Sequence, residues 1–157
     1  MIQLFRIATS NHIQDISGTG ARMYGGRWNH QGYPVLYTST SRSLAALEFL
    51  VHVPMALAPK NSSILEINIT ESVTIESVNE KELPLNWRDY PAPEHLADLG
   101  TNWLKSKSSL LLEIPSAIVS KERNILINPL HEEIENINLV SVESFSFDPR
   151  LIHEDCK

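Results

Sequence analysis

The chain has one cysteine, Cys156, so it can build neither an intrachain disulfide nor a cysteine-rich zinc centre. No stretch approaches the roughly 20 apolar residues of a membrane-spanning helix. The opening MIQLFRIATSNHIQD has no basic segment followed by an apolar run. These absences lead to the expectation of a reducing, cytoplasmic setting and no membrane partner. Positive charge is also scarce: 13 Lys and Arg stand against 19 Asp and Glu, for a formal net charge of -6. Holding a polyphosphate backbone by bulk electrostatics needs a basic face, so direct nucleic-acid binding is not expected. A small anion held by two or three local arginines is compatible with that charge, because a local constellation can oppose the overall field.

Glycine is sparse, 6 in all, and its one adjacent pair, Gly25-Gly26, is not followed by the spacing of a dinucleotide-binding G-x-G-x-x-G turn. A phosphate loop of the G-x-x-x-x-G-K type is missing as well. No serine sits in a G-x-S-x-G elbow, and the six histidines include no H-x-x-x-H pair, so neither a hydrolase triad nor a metal site is expected.

What remains is the composition of a folded domain, 42% hydrophobic and 20% charged over 157 residues, which predicts a single domain over residues 1–157 with one core. Met1 to Ala8 reads as a strand with Ile2, Leu4 and Arg6 on one face and Gln3, Phe5 and Ile7 on the other. Val35 to Thr38 reads as a second strand. Ser39-Thr40-Ser41 then offers a helix cap, and SRSLAALEFLVHV follows as the helix, stopped by Pro54. Further strands are expected at Ile64 to Ile69, Val73 to Val78, Leu110 to Ile114, Ala117 to Ser120, Ile125 to Asn128 and Leu139 to Phe147. A second helix is expected over Pro93 to Lys105, with Leu96, Leu99 and Trp103 on one face. There is no regular βαβ alternation and no repeat, so the predicted class is α+β with a mostly antiparallel sheet core and flanking helices.

Glu48 is the most informative residue. Of its helical and sequence neighbours Leu44, Ala45, Leu47, Phe49, Val51 and His52, the last alone is polar. A carboxylate so placed loses hydration, which costs several kcal/mol unless something offsets it. It is either half of a structural pair, with His52 or an arginine, or a site carboxylate awaiting a substrate. Arg27, behind Gly25-Gly26 in YGGRWN, is either an ion-pair arginine or one facing an anion. Arg6, Tyr37 and Ser116 each have an ordinary structural reading: a sheet-edge ion pair, a half-buried strand aromatic and a turn residue.

Taken together, these stretches resemble the RES-domain family, named for an arginine, a glutamate and a serine. GGRWN supplies Arg27, LYTSTSRSLAALEFLVH supplies Tyr37 and Glu48, and LLLEIPSAIVSKERNILINPLH supplies Ser116, all in the family's order; LFRI with Arg6 and NPLH match its first strand and closing segment. The resemblance covers nearly the whole chain but gives no role to Glu80 through Lys107. It implies an ADP-ribosyltransferase-like fold and a toxin of a toxin–antitoxin pair that degrades NAD by hydrolysis or phosphorolysis. It also implies a partner antitoxin whose helix-turn-helix part binds DNA while another part blocks the active site, and it leaves a homodimer within such a complex open. A protein ADP-ribosyltransferase and a non-enzymatic nucleotide- or protein-binding module are the alternatives. In the NAD reading Glu48 opposes positive charge developing on the ribose, Arg27 and Arg6 hold pyrophosphate or ribose oxygens, Tyr37 stacks on nicotinamide and Ser116 binds a substrate hydroxyl. Glu48, Arg27 and Tyr37 are thus the catalytic expectations. The apolar VPMALAP is a candidate partner surface.

Overall fold

Alternation along the first strand divides the molecule into two sides. In the computed structural model, which describes residues 1–53, 60–70 and 72–151, strand β1 (Ile2–Thr9) lies inside a seven-stranded sheet. Leu4 joins a core on one face with Leu36, Leu65, Ile67 and Ile127. Phe5 and Ile7 pack on the other face with Ala45 and Ile64. The remaining strands are β2 (Leu36–Ser39), β3 (Ser62–Ile69), β4 (Ile75–Ser77), β5 (Leu111–Pro115), β6 (Arg123–Ile127) and β7 (Ile137–Phe145), and the order across the sheet is β4-β5-β6-β2-β1-β3-β7. Neighbours run antiparallel except β4 and β5. This is the expected α+β architecture. VPMALAP from Pro54 onward, His153 and Cys156 lie outside the described residues.

Among the described residues three α-helices accompany the sheet: α1 (Thr19–Tyr24), α2 (Arg42–His52) and α3 (Glu94–Ser106). Helix α2 begins where the serine/threonine cluster predicted, since the Ser41 side chain accepts a hydrogen bond from the Leu44 N–H and satisfies one of the first-turn donors. It connects β2 to β3 across β1 and covers Phe5, Ile7 and Ile64 with Ala45, Ala46 and Phe49. Helix α3 buries Leu96, Ala97, Gly100, Thr101, Trp103 and Leu104. Its apolar side meets Trp28, Val35, Leu112, Ile114 and Leu126. Two helices therefore share one face of the sheet, and the YGGRWN loop reaches α3 on that face. The opposite face is covered by residues outside the strands, including Ile13, Val73, Leu110 and Ile134.

Three expectations needed correction. Ala117 to Ser120 is a turn and not a strand, because the Ser116 hydroxyl accepts from the N–H groups of Ile118 and Val119, both at 3.1 Å, and folds the chain back on itself. The strand expected over Val73 to Val78 contracts to Ile75–Ser77, since Val73 and Val78 turn into the two separate cores. Helix α1 was not foreseen: none of its six residues is buried, so no apolar stripe betrays it.

The loop after α1 is latched onto α3 by close packing. A Cβ at Gly100 would lie 1.8 Å from the Trp28 carbonyl oxygen. The His30 N–H donates to Thr101 Oγ1 at 3.0 Å, and the His30 ring nitrogen lies 2.7 Å from Asp98 Oδ1. Gly100→Ala should therefore lower stability by about 2 kcal/mol through overpacking, although alanine is intrinsically the better helix former by about 1 kcal/mol. Urea unfolding checks this, and a stabilised variant would contradict the close approach.

Candidate active site

Helix α2 carries Glu48 to the face of the sheet where β6 offers a polar position. In β6 the inward residues alternate Asn124 and Leu126, so the amide of Asn124, 8% exposed, must find partners inside. Its Nδ2 donates to Glu48 Oε1 at 2.5 Å. Its Oδ1 accepts from Ser39 Oγ at 2.7 Å, Ser39 being the residue directly across the β2–β6 ladder. A second donor reaches the same carboxylate oxygen: Ser116 Oγ, 2.8 Å from Glu48 Oε1. Glu48 is half-buried, and its hydrogen bonds among the described residues come from Ser116 and Asn124, not from His52.

Arg27 stands beside this group. Its Nη1 donates to the Trp87 carbonyl at 2.7 Å. Burial lowers its pKa from the ordinary guanidinium value, and the negative charge of Glu48 is the largest influence in the other direction, followed by Tyr37 and Asp89. The arginine remains charged. The Tyr37 hydroxyl accepts from the Trp28 N–H at 3.1 Å and donates to Asn29 Oδ1 at 2.7 Å. Burial pushes that hydroxyl far above the usual tyrosine range, so it stays neutral. Gly26 explains the glycine before Arg27: a Cβ there would sit 2.6 Å from the Tyr37 hydroxyl oxygen and 2.9 Å from Asn29 Oδ1. The missing side chain makes room for the bond that fixes the loop.

Four of the five candidate residues thus gather on one face, and one does not. Arg6 lies on the opposite side of β1 from Phe5 and Ile7, where its Nη1 donates to the carbonyls of His12 (3.3 Å), Ile13 (3.0 Å) and Asp15 (3.0 Å). Strand alternation is the reason: the face that carries α2 belongs to odd-numbered residues of β1. Arg6 ties down the 12–15 loop, with burial lowering its pKa and Asp15 opposing that effect. Ser116 also differs from expectation in its bonding, since its hydroxyl is committed to Glu48 and to two backbone N–H groups.

The stretch WRDYPAPEH, without a role in the sequence, borders the site. Trp87 supplies the carbonyl for Arg27. Arg88 donates to Ser120 Oγ at 3.0 Å and to the Ser116 carbonyl at 3.4 Å, with its guanidinium 5.3 Å from the Trp87 ring centroid. Asn124, Ser39 and Arg88 are the residues that sequence reading missed. For Asn124 a signal existed, a polar residue in register with the apolar positions of a core strand. Two depressions of about 830 and 570 Å3 lie at the β4 end of the sheet, the first lined mainly by residues between Ser77 and Trp87 and the second shared between that segment and α3, and neither is lined by Arg27, Tyr37, Glu48 or Ser116. His30, Glu94 and Asp98 also come together through α3, a grouping that spacing in the sequence does not reveal.

A family model for the RES domain matches residues 3–148. The chain belongs to the RES-domain family of toxins. Over 152 residues the RES domain is 41% identical to "Toxin Res" of Yersinia enterocolitica, covering 96% of this chain and 99% of that protein. It is 37% identical over 155 residues to "Prs ADP-ribosylating toxin" of a Sphingobium species, with 96% of each covered. Among solved structures, a chain of the M. tuberculosis MbcT–MbcA toxin–antitoxin complex superposes with a TM-score of 0.73 at 16% identity, over 96% of this chain and 86% of that one, which shows a shared fold.

Tyr37→Phe keeps the ring and removes the hydroxyl, leaving the Trp28 N–H and Asn29 Oδ1 without that partner. The variant should lose about 1–3 kcal/mol of stability, read as a lower denaturation midpoint at unchanged m-value. Unaltered stability would show that the hydroxyl does not hold the loop.

Proposed function

We propose that this RES domain is the toxin of a toxin–antitoxin pair and that it cleaves the bond between nicotinamide and ribose in NAD. The observation that carries the reading is the state of Glu48: a half-buried carboxylate whose Oε1 takes two hydrogen bonds while its Oε2 has no partner among the described residues. As the C1′–N bond breaks, its electron pair returns to the pyridinium nitrogen, nicotinamide leaves neutral, and positive charge develops on the ribose. A carboxylate beside that carbon stabilises the charge, and more strongly where water is excluded. An acceptor oxygen then bonds to C1′ and gives up its proton. Water gives ADP-ribose and phosphate gives its phosphorylated form.

Arg27 supplies charge for the opposite end of the same substrate. A guanidinium with one nitrogen on Trp87 retains further N–H donors for pyrophosphate oxygens. Tyr37 contributes an aromatic surface next to Arg27 on which nicotinamide can stack, its hydroxyl being used elsewhere. Ser116 acts on the carboxylate in this scheme and not as a nucleophile, since no base accepts its proton other than Glu48. Arg6 lies on the other face and takes no part.

A second reading has its own support, because one relative is named an ADP-ribosylating toxin. There the acceptor is a protein side chain, and the steps at Glu48 are unchanged. In either case the partner is an antitoxin that occludes this face of the sheet; the shared fold with a chain from a toxin–antitoxin complex supports that assignment. A DNA-binding helix-turn-helix part on that antitoxin would give the acidic toxin access to DNA that its own charge disfavours. No helix among the described residues is long and apolar enough to cross a membrane, which suits action in the cytoplasm.

Purified protein incubated with NAD, with and without phosphate, should release nicotinamide, and mass spectrometry of the second product separates the acceptors. Glu48→Gln should lower kcat by about 100- to 1000-fold with little change in NAD affinity. Arg27→Ala should weaken both. Arg6→Ala should cost stability and leave the KM for NAD unchanged. Normal NAD turnover by a correctly folded Glu48→Gln variant would reject the mechanism.

A further inference from the structure

Both groups that hold Glu48 are themselves held by hydrogen bonds from the groups behind them. The Ser116 hydroxyl oxygen accepts from the Ile118 and Val119 N–H groups, so its single proton is left for Glu48. Asn124 could in principle present either end of its amide. The carboxylate needs a donor and so turns the amino end toward Glu48, and Ser39 Oγ, 4% exposed, holds that orientation from behind by donating to Asn124 Oδ1. The reverse orientation would set a carbonyl oxygen against a carboxylate oxygen, two acceptors with no proton between them. The donor directions therefore run one way, from Ser39 through Asn124 to Glu48 and from the 118–119 backbone through Ser116 to the same atom.

We infer that Asn124, oriented by Ser39, is a positioning residue that fixes Glu48 Oε1 and thereby reserves Oε2 as the one carboxylate oxygen presented to the substrate. The inference rests on the reading of Glu48 as the reacting carboxylate and adds which atom does the work and what selects it. With Asn124 in place the side chain cannot rotate about its last torsion without breaking two hydrogen bonds to one oxygen at once. Without it, Ser116 alone holds a group that can turn, and Oε2 leaves the position that the developing charge requires. Asn124 touches no substrate in this scheme. Neither does Ser39, which does not touch Glu48 either, so its effect must travel through Asn124.

The test uses the full chain with Asn124→Ala, Ser39→Ala and the double variant, each checked by its thermal unfolding midpoint. Asn124→Ala should lower kcat on the order of 100-fold, as a misplaced reacting group does, with the KM for NAD unchanged. Ser39→Ala should lower kcat by less, and the double variant should match Asn124→Ala alone, because the two act in series. An unchanged kcat in Asn124→Ala, or losses that multiply in the double variant, would overturn the inference. Crystal structures of the unliganded wild type and Asn124→Ala give a readout independent of turnover: a turned Glu48 carboxylate supports the role, and an unmoved one still bonded to Ser116 overturns it. A wild type that consumes no NAD would remove the proposed reaction, while the crystallographic comparison would still decide what Asn124 does.

Discussion

A carboxylate held by neutral hydrogen-bond donors is the constraint around which this molecule is arranged. Removing an acid from water costs free energy, and proteins commonly offset that cost with a contacting cation. Here the groups that hydrogen-bond Glu48 among the described residues are a hydroxyl and an amide. They stabilise the charge without neutralising it, so the acid retains its field for something else. Glu48 acts electrostatically on Arg27, yet the hydrogen bond of the arginine goes to the Trp87 carbonyl. A direct ion pair between the two would spend the negative charge on the arginine, and the separation leaves both charges available.

Holding that arrangement takes five pieces of chain: the loop before β2, strand β2, helix α2, the turn after β5 and strand β6. The sheet register fixes two of them, because Ser39 and Asn124 face each other across β2 and β6. The turn is fixed by its own serine, whose oxygen accepts from two backbone N–H groups as it donates to Glu48. The loop is fixed by two glycines with different duties. Gly26 leaves room for the Tyr37 hydroxyl, and Gly100 lets α3 approach the Trp28 backbone. Each duty is a steric one, which is why a residue with no side chain occupies both places.

Much of this was legible in the sequence, and the parts that were not share a cause. Glu48 stood out because a lone acid within an apolar helical stretch needs a reason. The Ser41 cap, the course of β1 and the span of α3 followed from local chemistry that tertiary contacts did not override. Arg6 was placed by alternation on the face of Leu4, which was right, but nothing local says which face of a sheet will receive the helix. That choice depends on Phe5, Ile7 and Ile64 packing with Ala45, contacts that span most of the first half of the chain. Asn124 and Arg88 were missed for the same reason, since their partners lie 76 and 28 residues away. The false strand at Ala117 to Ser120 had suitable residues, and Ser116 diverted its backbone N–H groups.

The charges of the site also bear on which ligand suits it. An overall charge of -6 gives no general attraction for anions, so anion binding here falls to local arginines, and a lone carboxylate would suit a simple cation. This face presents both signs within a short span: Glu48 bonded to the Ser116 hydroxyl, and Arg88 bonded to the Ser116 carbonyl, with Arg27 on the neighbouring Trp87. A ligand matched to that pattern carries a cationic ring and an anionic linkage in one molecule, as an oxidised nicotinamide dinucleotide does. In the proposed cleavage, loss of the ring's positive charge to the ribose would move that charge toward the carboxylate, whereas the phosphates would keep theirs and stay with the arginines. On that proposal the electrostatic pattern would discriminate between the bound ground state and the cleavage transition state at one end of the substrate only, which is what differential stabilisation of a reaction demands.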